Sequence, residues 1–113
     1  MERAITSNTI AIVGSAPGWP HGVVDDIPAM SKLALRYNIG LHVDACLGGF
    51  VIAFLPKYNF DYRLPGVTSI SCDNHKYGIA PKGISTLTFR SNEVRKHAYY
   101  TISNWPGGLY ATA

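Results

Sequence analysis

A strand, a helix and a second strand follow one another within the first 45 residues, and this order constrains the fold more than any other feature. Residues 8–16 and residues 39–45 are short runs rich in β-branched side chains and bounded by turn formers. Between them, apolar side chains recur at helical spacing over residues 27–37, after Asp25 or Asp26 as a possible cap. Two strands joined by such a helix pair in parallel, so the sequence predicts an α/β fold with both strands buried on both faces.

The rest of the chain predicts more strands. Residues 47–57 form an apolar segment that predicts either a short helix or a packed loop, and residues 67–71 form a third strand. Residues 83–89 alternate and are rich in β formers, but they follow too closely for a crossover helix, so this strand should be antiparallel to the third. Residues 98–102 predict a last short strand, and residues 105–110 a loop. We therefore expect a mostly parallel sheet with an antiparallel strand near the C-terminal end.

Composition excludes several classes of protein. With 47% hydrophobic and 15% charged residues, the chain is outside the range of disordered sequences. The formal net charge is +3, and the basic residues are scattered, so no nucleic-acid partner is predicted. Two cysteines without metal-ligand spacing predict no metal site and favour a reducing compartment. The apolar stretch 47–56 is too short to span a membrane, and no signal peptide precedes the first strand.

Asp44 stands near the end of an otherwise apolar strand. A charged carboxylate in such a place costs several kcal/mol unless a cation or several hydrogen-bond donors satisfy it. One interpretation is therefore that a positive group meets Asp44. The alternative is a helix cap or an Asx-turn, in which the carboxylate accepts a hydrogen bond from a backbone N–H a short distance further on.

Lys76 follows His75 just beyond the predicted strand 67–71. Ligands of open α/β sheets bind beyond the carboxyl ends of the strands, so this is a common place for reactive groups. Lys76 is either an ordinary solvated lysine or a desolvated amine, with a lowered pKa, that forms a Schiff base with a carbonyl group. These residues alone leave both interpretations open.

Two motifs together resemble a known family. They are His42-Val43-Asp44-Ala45 and, further along, Asp73-Asn74-His75-Lys76-Tyr77-Gly78. The pair resembles the pyridoxal-phosphate enzymes of fold type I, in the branch that contains the group II amino-acid decarboxylases. Further segments are similar to the sphingosine-1-phosphate lyase family; they are residues 3–9, 41–49, 66–71, 77–83 and 105–110. The resemblance implies that residues 1–113 are part of the large pyridoxal-phosphate-binding domain, incomplete at both ends.

The resemblance also implies roles for individual residues. Lys76 matches the lysine that binds pyridoxal 5'-phosphate covalently, and Asp44 matches the aspartate that pairs with the pyridine nitrogen. His75 matches the histidine beside that lysine, near the cofactor phosphate or the leaving proton. Lys82 matches a second lysine, a phosphate ligand or proton carrier; its alternative is a surface lysine in a turn. Cys46 matches the small residue beneath the ring, and an inert buried thiol is equally compatible.

Ser15, at the tip of the first strand, either touches the ring hydroxyl of the cofactor or only starts the loop. His42 is interpreted as a packed strand residue or a partner of the site rather than a catalyst.

The family activity implied is cleavage of a phosphorylated sphingoid base to a long-chain aldehyde and phosphoethanolamine. The family also implies a homodimer and an endoplasmic-reticulum membrane location through a segment outside this chain. The alternatives are an amino-acid decarboxylase, which uses the same Asp–Lys pair, and a non-catalytic fragment, because no Gly-rich or Ser/Thr-rich phosphate cradle is found here.

Overall fold

The computed structural model describes residues 1–112, and its main feature is a four-stranded sheet with the strand order β1-β2-β3-β4. The strands are β1 (Ala11–Ser15), β2 (Gly40–Asp44), β3 (Ser69–Cys72) and β4 (Thr86–Phe89). β1 pairs with β2 and β2 with β3 in parallel, whereas β3 and β4 are antiparallel. The expected α/β fold, with a mostly parallel sheet and an antiparallel strand near its C-terminal end, is confirmed.

The crossover between β1 and β2 is the helix α1 (Ile27–Tyr37). Of the two candidate caps, Asp26 is the one used: its carboxylate accepts a hydrogen bond of 3.0 Å from the backbone N–H three residues on. Asp25 instead fastens the start of the helix to β1, because its carboxylate accepts the N–H of Ser15 at 2.8 Å. Asn38 ends the helix in the left-handed conformation, with φ of 50°.

The core lies between α1 and one face of the sheet. Its largest fully buried side chains are Ile27, Leu41, Val43 and Val67. Gly14 permits the close approach of α1, because a Cβ atom there would lie 2.7 Å from side-chain atoms of Ile27 and of Met30. A larger residue at this position would therefore have to displace the ends of these two side chains.

The other face of the sheet is not buried, so the expectation that β1 and β2 are buried on both faces is wrong. Exposed and buried residues alternate along β1, and Val13 is 58% exposed. In β2, Leu41 and Val43 are buried, whereas His42 and Asp44 are half-buried. The reason is that α1 packs on one face only, so the face that carries His42 and Asp44 stays open. This polar face is where the candidate site lies.

The C-terminal part forms a separate hairpin. After the short helices α2 (Gly49–Ile52) and α3 (Asn92–Arg95), strands β5 (Tyr100–Trp105) and β6 (Gly108–Thr112) pair antiparallel in a two-stranded sheet. Of the two alternatives for residues 47–57, the short helix is confirmed as α2, and the strand expected at residues 98–102 corresponds to β5. The loop predicted for residues 105–110 is wrong, because β6 begins there. Trp105 pairs with Gly108 across a two-residue turn, and Gly108 has φ of +91°, a conformation that glycine adopts without strain.

Residues 1–112 are less compact than a globular domain of the same length. Their radius of gyration is 15.7 Å, whereas a compact chain of this length would have about 13 Å. Large apolar side chains are exposed, among them Trp19, Phe54, Ile79 and Leu109. These features suit a part of a larger folding unit, but the assignment of residues 1–113 to an incomplete large domain stays a prediction. Within residues 1–112, no helix has the length and hydropathy to cross a bilayer.

Candidate cofactor site

Three polar residues lie side by side where β1, β2 and β3 end. Ser15 is in register with Asp44, and Asp44 is in register with Ser71. Because residues in register on parallel strands project to the same face, all three side chains stand on the open face of the sheet. The segments that follow β2 and β3 carry Cys46 and Lys76, so the sheet gathers these residues at one edge.

Asp44 is an ionised carboxylate in this setting. Its Oδ1 accepts the backbone N–H of Cys46 at 3.0 Å, which is the Asx-turn that the sequence allowed. Burial alone would raise the pKa of Asp44, but the hydrogen bonds from Cys46 and the proximity of the basic side chains of His42 and Lys76 outweigh burial and lower the pKa. Within residues 1–112, Oδ2 accepts no hydrogen bond. Asp44 therefore keeps one oxygen for a cationic partner.

Cys46 and His42 form a hydrogen-bonded group beside Asp44. The Cys46 thiol donates to the Ser71 hydroxyl at 3.4 Å, and burial, reinforced by Asp44, raises the pKa of the thiol. The His42 ring nitrogens Nδ1 and Nε2 lie 2.8 and 3.2 Å from the hydroxyls of Ser69 and Ser71. Burial lowers the pKa of His42 against the opposing effect of Asp44, so the imidazole is neutral and held within the sheet.

Lys76 carries its charge in this structure. Its Nζ lies 2.7 Å from Oδ2 of Asp73, and this hydrogen bond raises the pKa of the amine. The lysine side chain is 38% exposed, so burial does not favour the neutral form enough to reverse the shift. The possibility of a desolvated amine with a lowered pKa is therefore wrong for these residues. Asp44 adds to the rise in the pKa of Lys76, and Lys76 lowers the pKa of Asp44, so the two groups interact across the sheet edge.

Asp73 is a site residue to which the sequence analysis assigned no role. Its Oδ1 accepts the Ser85 hydroxyl at 2.6 Å, while Oδ2 accepts Lys76 and lies 3.8 Å from Nε2 of His75. The hydrogen bond from Lys76 is the main cause that lowers the pKa of Asp73. The signal in the sequence was the spacing of three residues between a carboxylate and the lysine, a distance at which side chains meet in a single turn.

His75 is held by hydrogen bonds to the segment that precedes β4. Its Nδ1–H donates to the carbonyl oxygen of Ile84 at 2.7 Å, and its backbone N–H donates to the same oxygen at 3.1 Å. The loop is compact at Gly78, where a Cβ atom would lie 2.6 Å from the carbonyl oxygen of Asn74. His75 therefore turns Nε2 towards Asp73, beside Lys76.

Lys82 and Ser15 are less firmly tied to the site. Lys82 is exposed in a turn, and its side chain forms no hydrogen bond or ion pair within residues 1–112, so the structure does not bring it to Asp44. Ser15 stands next to Asp44, but the bond that holds it runs from its backbone N–H to Asp25. The roles predicted for Lys82 and Ser15, like those of Lys76, Asp44, His75 and Cys46, stay predictions.

Residues 4–103 match the family model of the pyridoxal-dependent decarboxylase conserved domain. The chain belongs to the pyridoxal-dependent decarboxylase family. The resemblance on which the sequence analysis relied is thereby confirmed.

Sphingosine-1-phosphate lyases are prominent among the family members similar to this chain. It is 54% identical to the lyase of Arabidopsis thaliana, over 98% of this chain and 21% of that protein. It is 49% identical to the lyase of Saccharomyces cerevisiae, over 99% of this chain and 20% of that protein. The solved lyase of Burkholderia pseudomallei superimposes with a TM-score of 0.80 and 43% identity, covering 98% of this chain and 27% of that one.

A decarboxylase of the family is also similar in structure. The glutamate decarboxylase of Lactobacillus brevis superimposes with a TM-score of 0.77 and 32% identity, covering 96% of this chain and 26% of that one. The chain thus spans about a fifth of the length of the curated relatives it matches.

The donor set fits two parts of the family's cofactor, pyridoxal phosphate. A carboxylate with a free oxygen, Asp44, suits a protonated pyridine nitrogen, and the amine of Lys76 suits a carbonyl carbon. Within residues 1–112, no group of three His, Cys, Asp or Glu side chains is arranged to bind a metal ion.

Proposed function

We propose that this chain carries the cofactor-binding centre of a pyridoxal-phosphate-dependent carbon–carbon lyase. The substrate is a phosphorylated sphingoid base such as sphingosine 1-phosphate, and the products are a long-chain aldehyde and phosphoethanolamine. The observation that carries the proposal is that Asp44, with one carboxylate oxygen free, stands at the end of β2 next to the end of β3, the strand that the Lys76 loop follows. Identities of about 50% to sphingosine-1-phosphate lyases support the choice of substrate.

Asp44 would hold the pyridine ring of the cofactor through its nitrogen. An adjacent opposite charge favours the protonated form of such a nitrogen by about one to three pKa units. Bound pyridoxal phosphate supplies a protonated ring that accepts the electron pair of the broken carbon–carbon bond. Asp44 is suited to keep the ring protonated, because its own pKa is lowered and it stays ionised at neutral pH.

Lys76 would bind the carbonyl carbon of the cofactor, and the amine of the substrate would then replace it there. Next to it, His75 is held through Nδ1, so Nε2 is the atom with which it would hold or move a proton near the reacting carbon or the phosphate. We assign Cys46 and Ser15 to the floor and rim of the ring site, because both flank Asp44. Lys82 would reach the substrate or cofactor phosphate as a second cation.

An amino-acid decarboxylase is the second candidate. The family model and the similarity to the glutamate decarboxylase of Lactobacillus brevis favour it. The same Asp44 and Lys76 serve both reactions, and contacts to the substrate decide which bond is aligned for cleavage.

The test is an assay of a full-length protein that contains this chain, with a phosphorylated sphingoid base, with glutamate and with an aromatic amino acid. Release of a long-chain aldehyde from the first substrate alone supports the lyase. Release of carbon dioxide from an amino acid, without aldehyde, rejects it. A Lys76→Ala variant is the matched control, because both activities require its amine.

We further propose that the full-length protein is a homodimer at the endoplasmic-reticulum membrane, with a catalytic domain that faces the cytosol. This proposal rests on the resemblance to the sphingosine-1-phosphate lyase family. Cross-linking of the full-length protein and fractionation of cells that produce it would test the two parts separately.

The isolated 113 residues should bind pyridoxal phosphate weakly and turn nothing over. The polar face of the sheet is open, and no phosphate cradle was found in the sequence. Borohydride reduction followed by mass spectrometry tests this expectation. Stoichiometric labelling of Lys76, together with aldehyde release by the fragment, would refute it.

A further inference from the structure

The ion pair between Asp73 and Lys76 differs from the other lysine and arginine pairs in residues 1–112. The Asp73 side chain is 13% exposed, whereas the carboxylates of Glu2 and Asp61 in their arginine pairs are 51% and 34% exposed. Sheltered charges lose less of their attraction to solvent screening than exposed ones. Of these three ion pairs, the Asp73–Lys76 pair is therefore the one whose electrostatic attraction is least weakened by solvent.

Two other parts of the fold fix Asp73 in place. The Ser85 hydroxyl, which precedes β4, donates to Oδ1 at 2.6 Å. The backbone N–H of Asp73 donates at 3.3 Å to the carbonyl of Cys46, two residues beyond Asp44. Because the fold already holds the carboxylate, pairing with it costs Lys76 only the freedom of its own side chain.

Resting on the function proposed above, we propose that Asp73 is a positioning residue that holds Lys76 as an ammonium ion at the cofactor site until the cofactor arrives. Lys76 must first release one proton to solvent, to which its side chain is 38% exposed, before the lone pair of its nitrogen bonds to the carbonyl carbon. The carbonyl oxygen then leaves as water with the two remaining hydrogens of the amine. Asp73 thus sets both the place of the amine and the ease with which it becomes a nucleophile.

The groups that face Lys76 come from two segments. Asp73 and His75 belong to its own loop, whereas Asp44 and Cys46 belong to the end of β2 and the turn after it. Among them, the hydrogen bond to Asp73 contributes most to the raised pKa of Lys76. Removal of this carboxylate should therefore release the proton of Lys76 at lower pH.

The experiment measures the reactivity of free Lys76 in the full-length protein without cofactor. The protein is treated with an amine-acylating reagent over a range of pH, and the extent of Lys76 labelling is quantified by mass spectrometry, with Lys82 as the internal reference. In Asp73→Asn, labelling of Lys76 should be about two- to fivefold faster at neutral pH, with the profile displaced to lower pH. Asp73→Glu should restore the parent profile. Asp61→Asn, which removes a carboxylate from another ion pair, should leave it unchanged.

An Asp73→Asn profile that coincides with the parent profile overturns the proposal. If that variant does not fold, Ser85→Ala decides, because it loosens Asp73 without removing its charge. A smaller displacement in the same direction supports the proposal, and an unchanged profile overturns it. The labelling needs no cofactor, so it is separable from the proposed function. That function fails if borohydride does not fix pyridoxal phosphate on Lys76 of the parent protein, whatever the labelling profile shows.

Discussion

Replacement of Asp44 by asparagine tests the centre of the proposed function, because it removes one charge and little else. The side-chain oxygen of asparagine can still accept the backbone N–H of Cys46, which Asp44 accepts at 3.0 Å, so the turn after β2 should persist. The exchange conserves volume and leaves the buried face of β2, with Leu41 and Val43, untouched. The loss of function should therefore report the loss of the negative charge.

The size of the effect follows from the interaction that is lost. An opposite charge next to the ring nitrogen favours its protonated form by about one to three pKa units, and each unit corresponds to about 1.4 kcal/mol. We therefore expect Asp44→Asn to lower kcat/KM of the full-length protein about 10- to 1000-fold. The folded protein should keep its far-ultraviolet circular dichroism.

The assay is aldehyde release from a phosphorylated sphingoid base, with bound cofactor measured in the same sample. Asp61→Asn is the matched control, since Asp61 pairs with Arg63 in the loop before β3. Cleavage by Asp44→Asn within threefold of the parent rate, at full cofactor content, would refute the assignment of Asp44 to the ring nitrogen.

Acid sensitivity gives an independent check on Asp44. Its pKa in the folded protein is lower than usual, so its ionised form stabilises the fold above the ordinary value of about 3.9. This contribution is lost as the pH falls through the lower, folded pKa. Below about pH 4, the difference in free energy of unfolding between the parent and Asp44→Asn should therefore shrink, as measured by urea denaturation. A difference that grows on acidification would contradict the direction of the shift.

Two further substitutions and one labelling experiment test the packing of the fold. Ser31→Ala leaves the N–H of Gly66 without its buried partner at 2.9 Å and should cost about 1–3 kcal/mol of unfolding free energy in urea; no loss would contradict the contact. Gly49→Ala places a Cβ atom against Cys72 Sγ and should cost about 1–3 kcal/mol by the same measurement; a neutral result would show that the neighbour moves away freely. Burial raises the pKa of the Cys46 thiol. Cys46 should therefore react with iodoacetamide more slowly than a free thiol at neutral pH, and its own rate should rise as the pH is made alkaline. Rapid labelling at neutral pH would contradict its burial.

Local sequence determined most of the secondary structure. Periodicity gives the strands of the main sheet and α1, and the residues at the ends of α1 fix where it starts and stops. The short distance between β3 and β4 already excluded a parallel connection. The loop predicted for residues 105–110 failed because Pro106 and Gly107 were taken to end regular structure, whereas they form the two-residue turn of the hairpin.

The sequence by itself placed Asp44 and Lys76 at or just beyond the ends of two strands, because the strands and their ends follow from local pattern. That these two strands are parallel neighbours in the sheet came from the tertiary structure. Only the tertiary structure decided which face of the sheet is covered, since that depends on the side on which α1 packs. It also decided that Lys76 is charged and paired with Asp73. The protonation of an amine depends on distances and burial to within an ångström or two, and those distances come from how the loop after β3 folds against Ser85 and Cys46.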